Sequence, residues 1–347
     1  MQTLLRCGVL IAAGAALMPR VADAQVYPER IAVKAHAASA AYARRPREQS
    51  RDEQTERTTK TFKIGTDGSL DLGNVSGDIT VKRGGGSDAT VEIVKVAHGR
   101  DATDSKAQLS LVTVDVNEST GRAAVKARYA NGQRRNVDVS VDYNVTAPAG
   151  TRVTATSLSG SIHISDIKGD VSASTISGDV KISGASRINT AHSISGSIEI
   201  SDAKTDGSIE AQTVSGDVHL RHVAAHRIGG GSVSGEIKFE EIECETVAAH
   251  STSGSITMSG ALARHGHYEL KSFSGDVRLS LSGNTGFEIE ANSFSGDVRS
   301  DFPITTHGTM TDGAHRGHRT ILQGTFGDGS AMLNITTFSG SIVIAKR

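Results

Sequence analysis

One short phrase recurs through the second half of the chain and limits what it can become. It reads T-I-S-G-D-V-K-I at Thr175 to Ile182, S-I-S-G-S-I-E-I at Ser193 to Ile200, T-V-S-G-D-V-H-L at Thr213 to Leu220 and S-F-S-G-D-V-R-L at Ser272 to Leu279. The glycines of the array are Gly160, Gly178, Gly196, Gly216, Gly235, Gly254, Gly275, Gly296 and Gly340, spaced 18, 18, 20, 19, 19, 21, 21 and 44 apart. A period near 20 residues is that of a stacked repeat, in which no unit buries its apolar face alone. The final gap fits two coils, one of them degenerate.

Each column of the repeat has its own chemistry. Counting from the glycine, the residue before it is always serine, from Ser159 to Ser339, and the third before it is always Ser or Thr. The second after it is always Ile or Val, and the fourth after it is apolar except at Ser300. That alternation is the period-2 signature of a strand with one buried face. The second residue before the glycine is also apolar, except at Thr252, and a further apolar column lies seven before it, from Val153 to Leu333. Mostly alanine stands five before. Helical periodicity is absent. The fold class is therefore all-β: a single-chain β-solenoid with coils of about 18–21 residues, each adding a strand to its neighbours. The S-G step is its corner, where glycine takes a geometry closed to residues with a Cβ. At about 4.8 Å per coil the array from Gly160 to Gly340 is a rod roughly 45 Å long.

The rest of the chain is read around this array. Residues 1–24 have the form of a signal peptide: Arg6, a short apolar run from Cys7 to Met18, and the small-x-small site Ala22-Asp23-Ala24. The run is too short to span a bilayer, so the mature chain is expected to carry no transmembrane segment. Cys244 is then the only mature cysteine, read as a buried structural thiol. Residues 25–60 lack apolar periodicity and read as a disordered linker, with a basic knot at Arg44-Arg45-Pro46-Arg47. Residues 61–150 hold a first coil, N-V-S-G-D-I-T-V around Gly77, followed by a β-strand insertion. Its strands are expected at Val91 to Val96, Leu109 to Val116, Ala123 to Tyr129 and Val137 to Val145, with a tight turn at Asn131-Gly132. Because a solenoid end exposes unpaired backbone groups, the insertion is assigned as an N-terminal cap. Residues 151–347 form the array, with an irregular insertion at 301–329 that carries His307, His315 and His318.

No catalytic, cofactor-binding or metal constellation stands out. The acids fall in repeat register, which is what a structural column predicts, and a nucleophile would occur once, not in every coil. The serines before the glycines read as hydroxyl ladders satisfying corner backbone groups. His222 and His226 are four apart with no helix to place them on one side. The acids following the glycines are each trailed, two residues on, by a base: Asp179 and Lys181, Asp217 and His219, Glu236 and Lys238, Asp276 and Arg278, Asp297 and Arg299. These pairs are expected to offset repulsion between stacked acids such as Asp217 with Glu236, or Asp276 with Asp297, without metal. Net charge is -1, and no basic and aromatic stripe suggests nucleic acid.

The columns, repeated after a signal peptide, resemble those of the candidate-adhesin β-strand-repeat family of bacterial envelope proteins, a domain of unknown function. The likeness covers about Thr61 to Arg347 and includes the A-P-A-G lead-in at Ala147 to Gly150 and the closing G-T-F-G-D-G-S and T-F-S-G-S-I-V-I. It implies a right-handed solenoid, bacterial origin and export to periplasm, cell surface or medium, and offers no catalytic residues. The expectation is a non-enzymatic envelope scaffold or adhesin-like binding module whose partner is an envelope protein or polysaccharide. The site residues proper to it are structural: the corner glycines Gly77, Gly160, Gly178, Gly196, Gly216, Gly235, Gly254, Gly275, Gly296 and Gly340. Two alternatives have distinct marks. A polysaccharide-active β-helix enzyme needs an acid pair off the repeat register. A Ca²⁺-dependent structural module needs metal-dependent melting.

Overall fold

The computed structural model describes residues 52–129, 137–306 and 320–347, within one compact unit, Gln49–Arg347. The expected signal peptide, most of the expected linker, the Asn131-Gly132 turn and His307, His315 and His318 lie outside the described residues. Among the described residues the fold is all-β, apart from one helix, Ala102–Leu109.

The coils stack as the period requires. Each contributes an arm before its glycine, such as Asp170–Ser177, and a shorter arm after it, such as Val180–Ser183. Both arms pair in parallel with the same arms of the neighbouring coils, Val171 with Val153 and Val180 with Ile162 and Ile198. Inward columns five and seven before the glycine, and two and four after it, fill one continuous solenoid-like core, and the Ser/Thr column three before the glycine is buried beside it. Position seven before Gly196 is Asn189, a break in the apolar column. A β-bulge there shifts the register between Val171 and Ser172 of the neighbour, so that Ile188 takes the buried place. Gly230 stands where most other coils have alanine, and a Cβ there would lie 2.5 Å from the Phe239 ring. The largest inward side chain of that coil fills the space its smallest leaves.

A second corner, absent from the sequence reading, follows the shorter arm. Asp166, Gly184, Asp202, His222 and Glu241 occupy one column with φ between 51° and 62°. Short polar residues and glycine tolerate this left-handed geometry best. The next residues, Ile167, Ala185, Ala203, Val223 and Ile242, turn inward as a further core column.

Stacking order departs from chain order at both ends. The last strands, Ala331–Ser339 and Ile342–Lys346, insert between the Gly275 coil and the Gly296 coil. The Gly340 coil is thus not the far end of the rod, and no degenerate coil separates it from Gly296 in the stack. The excursion between them includes Thr320–Phe326 and Thr305–Thr306, antiparallel strands that extend the sheet past Phe287–Ser295. Part of the insertion read as irregular is therefore strand. Phe302 and Phe326 pack against Phe287 over this end of the core, with ring centroids 4.9–5.3 Å apart. At the other end, Ser69–Ser76 and Ile79–Arg83 pair directly with Arg152–Ser159 and Ile162–Ser165. Arg122–Tyr129 and Val139–Ala147 pair on the opposite edges, outside the first coil. Asp88–Gly99, Asp52–Lys63 and Val112–Ser119 add antiparallel strands beyond them. Residues 52–60, read as linker, thus form most of an edge strand. The helix Ala102–Leu109 replaces the expected start of a strand at Leu109. Asp101 is its N-cap, accepting from Asp104 N at 2.8 Å.

Candidate functional site

The parity of the longer arm decides what faces water. Positions seven, five and three before the glycine point inward, so position two points out. Yet that position is apolar in nearly every coil. Ile176, Ile194, Val214, Val233, Phe273, Phe294 and Phe338 are 41–59% exposed. With the half-buried Val75 and Leu158 they form one ridge beside the corners, broken only at Thr252. Because the last coil inserts before the Gly296 coil, the rings run Phe273, Phe338, Phe294. They stack almost parallel at 4.9 Å and 4.7 Å, with interplanar angles of 2° and 6°. The sequence marks this column as apolar without assigning it a face. The alternation of the arm, counted strictly from the buried alanine column, would have placed it outside.

A shallow groove of about 620 Å³ runs beside the ridge. Its floor is the outward column four before the glycine, including Gln212, Gly231, His250 and Lys271, and its wall includes Val233 and Phe273. Gly231 leaves the floor low at its centre. Lys271 pairs with Glu269 and holds that carboxyl below its usual range. On the other side stands the serine column. The columns next to the ridge are therefore polar, with Lys271 in the groove floor, and the acids that follow the glycines stand beyond the serines.

The corner glycines lie beside the ridge and are set by close approach. A Cβ on Gly235 would sit 2.0 Å from Gly216 O, and one on Gly340 would sit 2.2 Å from Gly275 O. The same carbonyl accepts from the Ser/Thr column three before the next glycine: Thr213 Oγ1 to Gly196 O at 2.9 Å, Ser232 Oγ to Gly216 O at 3.0 Å, Ser293 Oγ to Gly340 O at 2.8 Å. The hydroxyl ladder thus belongs to this column. The serines directly before the glycines contribute their carbonyls instead, as Ser177 O does to Gly160 N at 2.8 Å.

The acids after the glycines also turn to backbone. Asp179 Oδ1 accepts from Ser197 N, Asp217 Oδ1 from Glu236 N, both at 2.8 Å, and Asp276 Oδ1 from Ser341 N at 2.7 Å. Of the expected pairs only Asp297 with Arg299 forms, at 3.0 Å. Lys181 reaches Glu199 instead, while Lys238 and His219 both reach Glu240, at 2.7 and 2.9 Å. The corner N–H groups would otherwise lack a partner, and a short Asp reaches them while the longer bases find acids on the flat of the arm. Asp276 and Asp297 are not neighbours, because Ser341 stacks between them. Lys238 and His219 together hold the Glu240 carboxyl down to about 2.

His222 and His226 take different carboxylates: His222 lies 3.3 Å from Asp202 and 3.1 Å from Glu241, His226 3.2 Å from Glu245. Among the described residues no group of three or more His, Cys, Asp or Glu is placed to hold a metal ion. Cys244 is buried, and burial pushes its thiol up. Tyr268 donates to Cys244 O at 2.8 Å, and burial raises its phenol to about 12. Among the described residues no helix is long and apolar enough to cross a membrane.

Comparison with known proteins finds distant structural likenesses and one family. A candidate adhesin from Bacteroides fragilis is 13% identical, with 84% of this chain and 97% of that chain aligned at a TM-score of 0.42. A candidate adhesin from Parabacteroides merdae is 14% identical over 65% of this chain and 89% of that chain, TM-score 0.34. A candidate lipid-binding protein from Parabacteroides distasonis is 13% identical over 65% and 89%, TM-score 0.39. Likeness at this level says nothing of what either partner in a comparison binds. No functionally curated protein matches the chain. The sequence profile of the Toastrack DUF4097 family matches residues 69–345, from the strand of the first coil to the end of the last, and the chain belongs to that family.

Proposed function

We propose that the protein is an exported, non-enzymatic, right-handed β-solenoid that serves as an envelope scaffold or adhesin-like binding module. In this reading residues 1–24 direct export, residues 25–51 link the leader to the fold, and the strands of 52–150 outside the first coil cap the stack. The ten corner glycines are structural, and the working surface is the ridge. The observation that carries the reading is the run of exposed apolar side chains along one edge, ending in three stacked phenylalanines. Soluble monomers rarely leave so long an apolar row open unless a partner covers it. The partner is an envelope macromolecule, and protein is favoured over polysaccharide. Both faces of the middle ring are covered by its neighbours, so the stack offers mostly ring edges where sugars need ring faces.

The test is retention of the purified protein on envelope fractions, compared with a variant carrying Phe273→Ser, Phe294→Ser and Phe338→Ser. Retention of the wild type and its loss in the variant are expected, with melting temperature little changed because the rings are about half exposed. No retention, or equal retention by both proteins, would refute the ridge as a surface that binds the envelope.

A further inference from the structure

The ridge has a shape and a charge pattern that select one occupant. We propose that it is covered by a second copy of this chain, paired antiparallel about a two-fold axis at Val233. The inference rests on the binding-module reading and names its partner.

Shape argues for the antiparallel direction. In stacking order the ridge runs Val75, Leu158, Ile176, Ile194, Val214, Val233, Thr252, Phe273, Phe338, Phe294. Its first half is aliphatic and its last third aromatic. Antiparallel pairing about Val233 sets Leu158 against Phe294, Ile176 against Phe338 and Ile194 against Phe273. Each bulky ring then meets a smaller aliphatic chain, the aromatic–aliphatic pairing that sheets favour. A parallel pair would set ring against ring and hold the aliphatic halves apart.

Charge argues for the register. A two-fold axis across the ridge brings each flanking column against itself. The acidic column beside the corners runs Ser161, Asp179, Ser197, Asp217, Glu236, Ser255, Asp276, Ser341, Asp297 in stacking order. About Val233, Asp179 meets Ser341, Asp217 meets Ser255, Asp276 meets Ser197 and Asp297 meets Ser161. Only Glu236 meets its own copy. Moving the axis half a coil, between Val214 and Val233, would set Asp179 against Asp276 and Asp217 against Glu236, which is like charge on like. Moving it a full coil, to Val214, would leave the exposed ring of Phe294 unpaired, whereas the axis at Val233 leaves over only the half-buried Val75. On the other flank Gly231 lies at the axis, where two copies can approach closely.

The area is sufficient. With about 150–250 Å² per aromatic side chain, the exposures of the three phenylalanines leave roughly 300 Å² of apolar surface, and the aliphatic half adds a comparable amount. Two copies, with their flanking serines, reach the range of about 1,200–2,000 Å² typical of specific interfaces. Charge pairing across copies also depends on Ser341 lying between Asp276 and Asp297, an order found only in the folded stack.

The experiment uses the full chain in a Cys7→Ser background, Cys244 being buried. Sedimentation should show a dimer at micromolar concentration. Val233→Asp, at the axis, should weaken it more than about 100-fold, since two carboxylates would be buried without partners. Its unfolding curve should match the wild type, as Val233 is about half exposed. Under oxidation Val233→Cys should form a disulfide-linked dimer. Phe338→Cys alone should not, but mixed with Ile176→Cys it should give the cross-linked pair. A wild type that stays monomeric, or Phe338→Cys linking to itself, overturns the proposal. A monomer whose envelope retention still depends on the three phenylalanines overturns the dimer and leaves the binding-module reading standing. A dimer of the expected register without envelope retention supports the pairing and removes the envelope partner.

Discussion

A carbonyl oxygen in one coil fixes the residue type of the next. The Gly216 oxygen lies 2.0 Å from where a Cβ on Gly235 would be, and it also accepts the Ser232 hydroxyl. Gly235 has φ 157°, so a side chain there meets both an unfavourable torsion and a backbone collision. Gly254 separates these causes. Its φ falls outside the +20° to +160° window that strains a side chain, yet its Cβ would also sit 2.0 Å from a carbonyl, that of Gly235. Gly235→Val is expected to destabilise the protein by about 1–3 kcal/mol. Gly254→Ala should cost as much as Gly235→Ala if contact between coils sets the column. Thermal melting of the three variants decides. A Gly254→Ala protein as stable as the wild type would show that torsion alone fixes the corner.

The arms are joined across coils by charge as well as by backbone. Glu240 accepts from Lys238 on its own arm and pairs with His219 on the arm of the preceding coil. Its carboxyl is held near 2, below the ordinary value of 4.5. A depressed carboxylate contributes stability that is fully present above the unfolded value and is lost as pH falls through the folded one. Some stability is therefore expected to disappear between about pH 4.5 and pH 2. Glu240→Gln should flatten that part of the stability–pH curve, measured by urea unfolding at several pH values. The effect is small because the carboxylate is about a third exposed and screened by water. A variant with the same acid dependence as the wild type would remove Glu240 from this role.

At the scale of the whole molecule, the ends are tucked in. In a stack built in chain order, the last coil would be outermost with one edge open. Here Ala331–Ser339 has parallel partners on both sides, His267–Ser274 and Phe287–Ser295. The first coil is enclosed in the same way by Arg122–Tyr129 and Arg152–Ser159. Each end is finished by antiparallel strands from an excursion between coils. Hydrogen exchange should accordingly find the amides of 331–339 among the slowest, although they lie near the C-terminus, and those of 298–306 faster. Fraying from residue 347 inward, with 331–339 exchanging faster than 287–295, would contradict this order.

The sequence by itself determined the coil. Ser-Gly steps at a period near 20, β-branched residues two after each glycine and alanines five before it leave few structures other than stacked parallel strands, because period-2 patterning and a close-approach glycine are local properties. It also identified the four strands inserted after the first coil, but not the edge strand Asp52–Lys63, the strands Thr305–Thr306 and Thr320–Phe326, or the helix Ala102–Leu109, whose N-cap signal at Asp101 went unread beside the stronger β pattern. Tertiary structure decided which coil stacks on which. Every coil carries nearly the same columns, so the Gly275 edge accepts the Gly340 coil as well as the Gly296 coil, and no local rule ranks them. Only the threading of the whole chain does so, when the segments after Gly296 close the end and leave the last coil the space within. That choice places Phe338 between Phe273 and Phe294 and Ser341 between Asp276 and Asp297. An aromatic stack and an alternation of charge are thereby made from residues that are far apart in the chain.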